Sequence, residues 1–536
     1  MPDSSKLFGI DRQQFVALLK LHLKLDFRPR SAPQNTKKRL IPQALLPFVV
    51  YGWFGFFLAL SLLTKGASTQ VYAFFVISYT MVMVFFAVLH EFDIILINPD
   101  DMEIIGYRPV HSKTFSAAKL ANFVIYISLL SASLTFLPGA IAFFLNESTV
   151  IYPFLLFFSA SVSSLVTGFF VVILYTLLLQ RISAVKLKEF ITYMQVGFTL
   201  VIFLVYQLIP RIDPRVLQSG FNDVSLWFLL APSVWFTGFT EIFSKNPDLF
   251  IIYASFAGVI ASIIVIFTGG MKFSAAGAGY LSEKLKESES VSVKPGTVSQ
   301  KTGFGKSSET KAGYFLARLM IKRDRSVKAG ILSLSAIVAA SALMSYFDGT
   351  LTDPFIKEAG TGFSYAFMFS IFIVFAFINF IQYSTDWEGA WVFKISPMRN
   401  PGKLYRGANA VILSRVLVPV YLVVFAVYLL RIRFFHAFLQ IVVMFVFGVL
   451  SLCLGLFLVK DFPFSKKRVR GQRSRSLGMI FYTVPVLILY VVSGKFIYRG
   501  GLYYILSVCV LILLSFAVEY FAVRRLGQVI DKSEDF

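Results

Sequence analysis

Histidines are the residues in this chain best suited to metal binding or proton transfer, and their spacing decides whether they do either. The four lie in widely separated segments: His22, His90, His111 and His436. A metal site needs ligands at short, regular spacing, and no serine lies in a G-x-S-x-G elbow. The neighbours His90 and Glu91 are explained more simply as a polar pair at the end of a helix. The pattern predicts no metal site, no catalytic residue and no enzyme activity in this chain.

One segment resembles a phosphate-binding loop, QKTGFGKSS at residues 300–308. A Walker A loop needs a glycine five residues before its G-K-[ST], where the backbone curls around the phosphates. Gln300 occupies that position ahead of Gly305 and Lys306, and no apolar strand precedes it. We therefore expect no nucleotide or other cofactor in this chain.

Carboxylates inside a membrane bundle would indicate coupling to protons or sodium, since an ion in a low-dielectric medium needs a fixed partner. Glu91, Asp93 and Glu519 all fall near the ends of apolar stretches, where they reach water. Arg415 is the one basic residue well inside such a stretch, and its long side chain can extend to the interface. Ion coupling is therefore the weaker expectation.

The composition explains why apolar stretches dominate the pattern. Of 536 residues, 57% are hydrophobic and 15% are charged, against about 25% charged in a soluble domain. The net charge of +22 is divided among clusters between apolar runs, which argues against a continuous nucleic-acid groove. Cys453 and Cys509 both lie in apolar runs, so no disulfide framework is indicated. The N-terminus is polar and basic, unlike a cleavable signal peptide.

Twelve stretches are long and apolar enough to cross a bilayer, which predicts an all-α, polytopic transmembrane bundle. Six belong to the first half: Ile41–Leu63, Val71–Leu89, Leu120–Leu145, Ile151–Leu179, Phe190–Ile209 and Leu249–Phe267. Six belong to the second: Ala329–Phe347, Phe363–Ile381, Ala408–Leu430, Phe434–Val459, Leu477–Val492 and Gly501–Val523. A stripe of Val16, Leu19, Leu23 and Phe27 predicts an interfacial helix before the first span, and FLARLMIKRDRS is its shorter counterpart.

Lysine and arginine set the orientation of these spans. When alternate loops are assigned to opposite faces of the membrane, most lysines and arginines fall on one side. Because basic residues favour the cytoplasmic side, both termini are predicted to be cytoplasmic. The predicted organisation is an interfacial segment at 1–40, a first six-helix half at 41–270, a cytoplasmic linker at 271–328, a second half at 329–523 and a tail at 524–536. The linker is rich in Ser, Lys, Glu and Gly, without apolar periodicity.

The two halves carry a related loop after their second spans. Asp100 precedes Pro109 by nine residues, and Glu388 precedes Pro397 by the same distance. A basic residue, Lys119 or Arg406, follows near the start of the next span. The loops therefore indicate a six-helix unit duplicated in the same orientation, with a short surface helix in each copy that suits docking of a partner.

Two sets of segments resemble the permease subunits of bacterial ABC-2-type exporters. YRPVHSKTFSAAKL, and more loosely FKISPMRNPGKLYRGANAV, are similar to the proline-containing cytoplasmic segment before the third helix of that family. LLAPSVWFTGFTEIF, which contains Pro232 and Trp235, is similar to the family's external element before the sixth helix. The second half has only GKFIYRGG between its last two spans, so this element occurs once.

The resemblance implies a permease subunit of an ATP-driven exporter, in a fused double-length form in the cytoplasmic membrane. A separate ATPase, in two copies, would bind ATP and magnesium and dock on the segments that contain Asp100, Pro109, Lys119, Glu388, Pro397 and Arg406. The alternatives are an ATP-independent secondary transporter, a polytopic lipid-modifying enzyme that uses His90 or Glu91, or a non-transporting sensor. Nothing in the sequence identifies the substrate.

Overall fold

Helices make up almost all of the described structure, as expected for an all-α protein. The computed structural model describes residues 6–7, 10–27, 46–95, 112–145, 148–182, 184–208, 211–218, 231–242, 249–272, 307–356, 365–384, 387–396, 398–467 and 476–534. Within these ranges, strand is limited to two-residue pairs: β1 (Lys6–Leu7) with β2 (Ile10–Asp11), antiparallel, and β3 (Tyr383–Ser384) with β4 (Lys466–Lys467), parallel.

The chain divides into two compact units. Unit 1 comprises Met1–Ile191 and Val205–Lys294, and unit 2 comprises Thr192–Leu204 and Pro295–Phe536. The division near residue 294 falls inside the segment predicted as a linker. The exact domain bounds given above stay predictions.

Unit 1 contains the first nine helices, with the middle of α6 grouped with unit 2. They are α1 (Arg12–Phe27), α2 (Leu46–Thr64), α3 (Thr69–Ile95), α4 (Ser112–Ala142), α5 (Tyr152–Arg181), α6 (Ala184–Leu208), α7 (Pro214–Gln218), α8 (Pro232–Glu241) and α9 (Leu249–Lys272). The long helices α3, α4 and α5 pack against one another, and α9 packs against α5.

Unit 2 contains the other helices of the described residues. They are α10 (Ser308–Arg323), α11 (Arg325–Phe347), α12 (Tyr365–Phe380), a 3-10 turn (Trp387–Ala390), α13 (Trp391–Ile395), α14 (Gly402–Ile412), a π-helical turn (Leu413–Leu417), α15 (Val418–Tyr428), α16 (Phe434–Gly455), a 3-10 turn (Leu456–Leu458), α17 (Ser476–Ile497) and α18 (Gly501–Glu534). A large apolar core joins α10 to α18.

Eight helices in the described ranges are long and apolar enough to cross a membrane. They are α3, α4, α5 and α9 in unit 1, and α11, the continuous α14–α15 run, α16 and α18 in unit 2. The other predicted spans coincide with α2, α6, α12 and α17, whose apolar stretches are shorter. A multi-pass membrane bundle is thus confirmed, while the count of twelve spans stays a prediction.

The ninth predicted span differs most from its helix. The helix begins at Gly402 rather than Ala408 and passes through a π-helical turn at Leu413–Leu417, just before Pro419. Proline has no N–H to donate to the carbonyl four residues earlier, and wider turns of this kind accommodate such a gap. Arg415 lies in this turn with an exposed side chain, and its extension to the interface stays a prediction.

Candidate functional site

The predicted docking positions are only partly within the described structure. Asp100, Pro109 and Pro397 lie outside the described residues. Glu388 lies in the 3-10 turn Trp387–Ala390, and its side chain is outside the described set. The basic residues at the ends of both segments and the proposed external element are described.

Lys119 lies on α4 and is only 5% exposed. Its Nζ is 5.1 Å from the ring centroid of Phe115, which packs with Leu18 of α1 and Ala118 in a small apolar cluster. The buried lysine is therefore part of the α1–α4 contact, and it presents no exposed charge to a partner in this conformation.

The predicted interfacial helix forms as α1, but its buried face differs from the predicted stripe. Leu18 and His22 are buried, whereas Val16 is exposed. Asp11 caps the helix by accepting hydrogen bonds from the backbone N–H groups of Gln13 and Gln14 at 2.9 and 3.2 Å. The helix packs on α4 through this shifted face. Apolar periodicity alone could not separate the two faces, because leucines lie on both.

Arg406, the matching residue in unit 2, is 55% exposed and forms an ion pair with Glu519 of α18. Its Nε lies 2.8 Å from Oε1, and Nη2 donates to Oε2 at 3.5 Å. Two-point geometry of this kind orients the guanidinium more firmly than a single contact. The pair links the start of α14 to the last long helix.

Backbone contact between α10 and α14 anchors the same region. A Cβ on Gly407 would collide with the carbonyl oxygen of Thr310, and a Cβ on Gly313 would collide with that of Leu404. Glycine at both positions lets the two helix backbones approach closely, as small residues do in membrane helix packing. The predicted counterpart of the interfacial helix is thus fixed to the segment that contains Arg406.

Between α12 and α14, the segment that begins near Glu388 forms the 3-10 turn and α13. Trp391 and Ile395 are 61% and 69% exposed, and Val392 is exposed beside them. Phe393 points inward instead, and its ring stacks on Phe462 at 5.4 Å between centroids with 7° between the planes. This surface, which we name the α13 patch (Trp391, Val392 and Ile395), is apolar, and Phe393 attaches it to the core.

The proposed external element in unit 1 is the ten-residue helix α8, and most of its residues are buried. Pro232 lies at its first turn, where a missing N–H costs nothing. Trp235 lies against Gly258 of α9, where an added Cβ would come within 2.8 Å of the tryptophan Cβ. The Oγ of Ser159 on α5 donates to the carbonyl of Phe236 at 2.9 Å. The element is therefore packed into unit 1.

Glu241, at the end of α8, was not selected from the sequence. It has no exposed surface, and Gln70 Nε2 of α3 donates to its Oε2 at 3.1 Å. A buried carboxylate in an apolar bundle is costly unless it is protonated or paired, and such residues commonly carry function in membrane proteins. In the sequence, Glu241 lies between two predicted spans, where a carboxylate is ordinarily exposed to water. Only tertiary packing could reveal its burial.

The long apolar helices and their buried contacts define the chain as a multi-pass integral membrane protein. No known protein family, curated protein or solved structure matches the sequence. The class of protein therefore rests on its helices and on the contacts described above.

Proposed function

We propose that this chain is the permease subunit of an ATP-driven exporter and works with a separate ATPase. The observation that carries the proposal is the α13 patch. It lies in the segment predicted to dock the ATPase, and it exposes Trp391 and Ile395 while Phe393 holds the helix to the bundle. Exposed aromatic and aliphatic side chains on a rigid base are typical anchors of protein interfaces.

A second feature supports two docking segments in one chain. In each unit, the helix before the first predicted span packs against the helix that begins the third predicted span. These contacts are α1 on α4 and α10 on α14. A duplicated six-helix unit accounts for this shared arrangement. Each copy would then present one segment to one ATPase subunit.

In the proposed mechanism, two ATPase subunits bind ATP and magnesium and approach each other. Their movement displaces the docking segments, and α14 and α4 follow because these helices begin where the segments end. Export requires that the outward-open conformation bind the ATP-loaded ATPase more tightly than the inward-open one, since a ligand shifts an equilibrium only by its differential affinity. The substrate is unidentified.

The test is purification of the tagged full chain from its native host in mild detergent, with ATP hydrolysis measured in the eluate. We expect a Walker A protein to copurify and W391E/I395E to reduce both its recovery and the hydrolysis by at least about tenfold, the effect of losing an interface anchor. F347E, which introduces a single glutamate at an exposed aromatic position at the end of α11, should have no effect. Failure of any ATPase to copurify, together with no conformational response to ATP analogues, would overturn the proposal.

Secondary transport is the second candidate, and Glu241 is the observation that favours it. Its burial beside Gln70 suits a carboxylate that binds and releases a proton during transport. In liposomes without ATP, an imposed proton gradient should then drive uptake, and E241Q should abolish it. ATP-dependent transport that E241Q leaves intact would exclude this candidate.

A further inference from the structure

A polar pocket in unit 2 lies where two membrane helices end. Its cavity volume is about 60 Å³, room for a small polar group rather than for a whole lipid. Phe375 and Ile378 of α12 and Leu458 after α16 supply its apolar lining, and Lys460, Asp461 and Lys466 supply its charged lining.

The loop that carries the polar side is held in a defined shape. The backbone N–H of Phe464 donates to the carbonyl of Ile381 at 2.6 Å, and that of Lys466 donates to Gln382 at 3.1 Å. Phe464 has φ of +59°, a conformation that is unfavourable for a bulky residue and persists only where surrounding contacts fix it. Tyr405 Oη also donates to the carbonyl of Asp461 at 2.6 Å. The lysines are therefore presented by a fixed loop.

The charges favour an anion. Lys466 pairs with Asp461, and no carboxylate in the described part of the chain pairs with Lys460. Two ammonium groups against one carboxylate leave the lining with a net positive charge. Lysine is a common ligand of phosphate oxygens, which accept several strong hydrogen bonds.

Side-chain amides add donors at the same position. Asn379 Nδ2 donates to the carbonyl of Phe375 at 2.8 Å, and Gln382 Nε2 donates to that of Ile378 at 2.9 Å. Each amide nitrogen carries two hydrogens, so one donor of each remains for a ligand. Amide donors beside two lysines match the several acceptor oxygens of a phosphate group.

We propose that this pocket binds an anionic phosphate group, carried by a phospholipid headgroup or by a soluble phosphorylated compound. The pocket lies where α12 and α16 give way to a polar loop, so the proposed phosphate would sit at the level of the headgroups. The proposal is independent of the ATPase, since none of its residues belongs to the α13 patch.

The experiment uses the delipidated full chain in detergent, titrated with short-chain phosphatidylglycerol and, separately, with inorganic phosphate. We expect K460Q/K466Q to weaken phosphatidylglycerol binding at least about tenfold, as expected from losing charge-assisted hydrogen bonds. K322Q/R323Q is the matched control, because it removes two exposed positive charges of α10 outside the pocket and should leave the Kd unchanged.

A second variant, D461N, removes the competing carboxylate and should tighten binding, which keeps the proposal testable if the double variant fails to fold. Competition by inorganic phosphate would identify soluble phosphates as a source, and its absence would restrict the site to lipid. Equal Kd values for the wild type and the pocket variants with both probes, or unchanged binding by D461N, would overturn the proposal.

Discussion

Lys119 and Arg406 hold matching positions in the two halves of the sequence, yet their side chains have different neighbours. Lys119 is buried against Phe115, whereas Arg406 is exposed and pairs with Glu519. Residue type and spacing predicted a basic group at both places. They could not predict its partner, because Glu519 lies more than a hundred residues away in sequence.

The Arg406–Glu519 pair should contribute modestly to stability. Arg406 is more than half exposed, so solvent screening limits the pair to about 0.2–1 kcal/mol. We expect R406A and E519Q each to lower the thermal stability in detergent slightly, and the double variant to lose less than the sum. A double-mutant cycle of unfolding midpoints measures this coupling, and strictly additive losses would contradict it.

Glu309 should stabilise the start of α10 in a pH-dependent way. A hydrogen bond from its own backbone N–H, with attraction from Lys403, lowers its pKa below the ordinary 4.5. Because the folded pKa is depressed, the contribution is present above pH 4.5 and is lost as the pH falls through the folded value. The side chain is largely exposed, so we expect E309Q to cost at most about 0.5 kcal/mol at pH 7.

Thermal unfolding of the wild type and E309Q at neutral and acidic pH checks this expectation. The difference between the two proteins should shrink as the carboxyl becomes protonated. A difference that grows toward low pH would contradict the assigned sign.

At the scale of elements, apolar content was enough to locate the helices but not their contacts. Each of the twelve predicted stretches coincides with a helix, since a long run of apolar residues in a bundle has few other ways to satisfy its backbone. The faces of α1, the π-helical turn and the burial of Glu241 depend on neighbours that are distant in sequence. The buried face of α1 was therefore predicted wrongly, and the π-helical turn and the burial of Glu241 were not predicted.

The contact between α10 and α14 predicts a sharp difference between two glycines of unit 2. In G407A the new methyl group meets backbone that cannot move aside, so we expect a loss of at least about 1–3 kcal/mol and displacement of α10. G501A is the control, because a Cβ there meets nothing within 4 Å. Unfolding midpoints of both variants in detergent provide the comparison, and equal stabilities would contradict the packing described.

The whole molecule is a multi-pass membrane protein, and the distribution of its basic residues predicts its orientation. The proposed topology puts Asp100 and Glu388 on the cytoplasmic face and Asn146 on the outer face. Cysteine labelling tests this in a background in which Cys453 and Cys509 are replaced by alanine. An impermeant maleimide should label D100C and E388C only in inside-out vesicles, and N146C only in intact cells. Labelling of D100C and E388C from opposite faces would rule out the duplicated arrangement.

The glycine contact between α10 and α14 has a mechanical consequence. Where two helices meet backbone to backbone, no side-chain rotamer lies between them to absorb movement. A displacement of α10 would therefore be transmitted directly to α14. The helix α14 is continuous with a run long enough to cross the bilayer. The glycine junction is therefore a stiff coupling between α10 and α14.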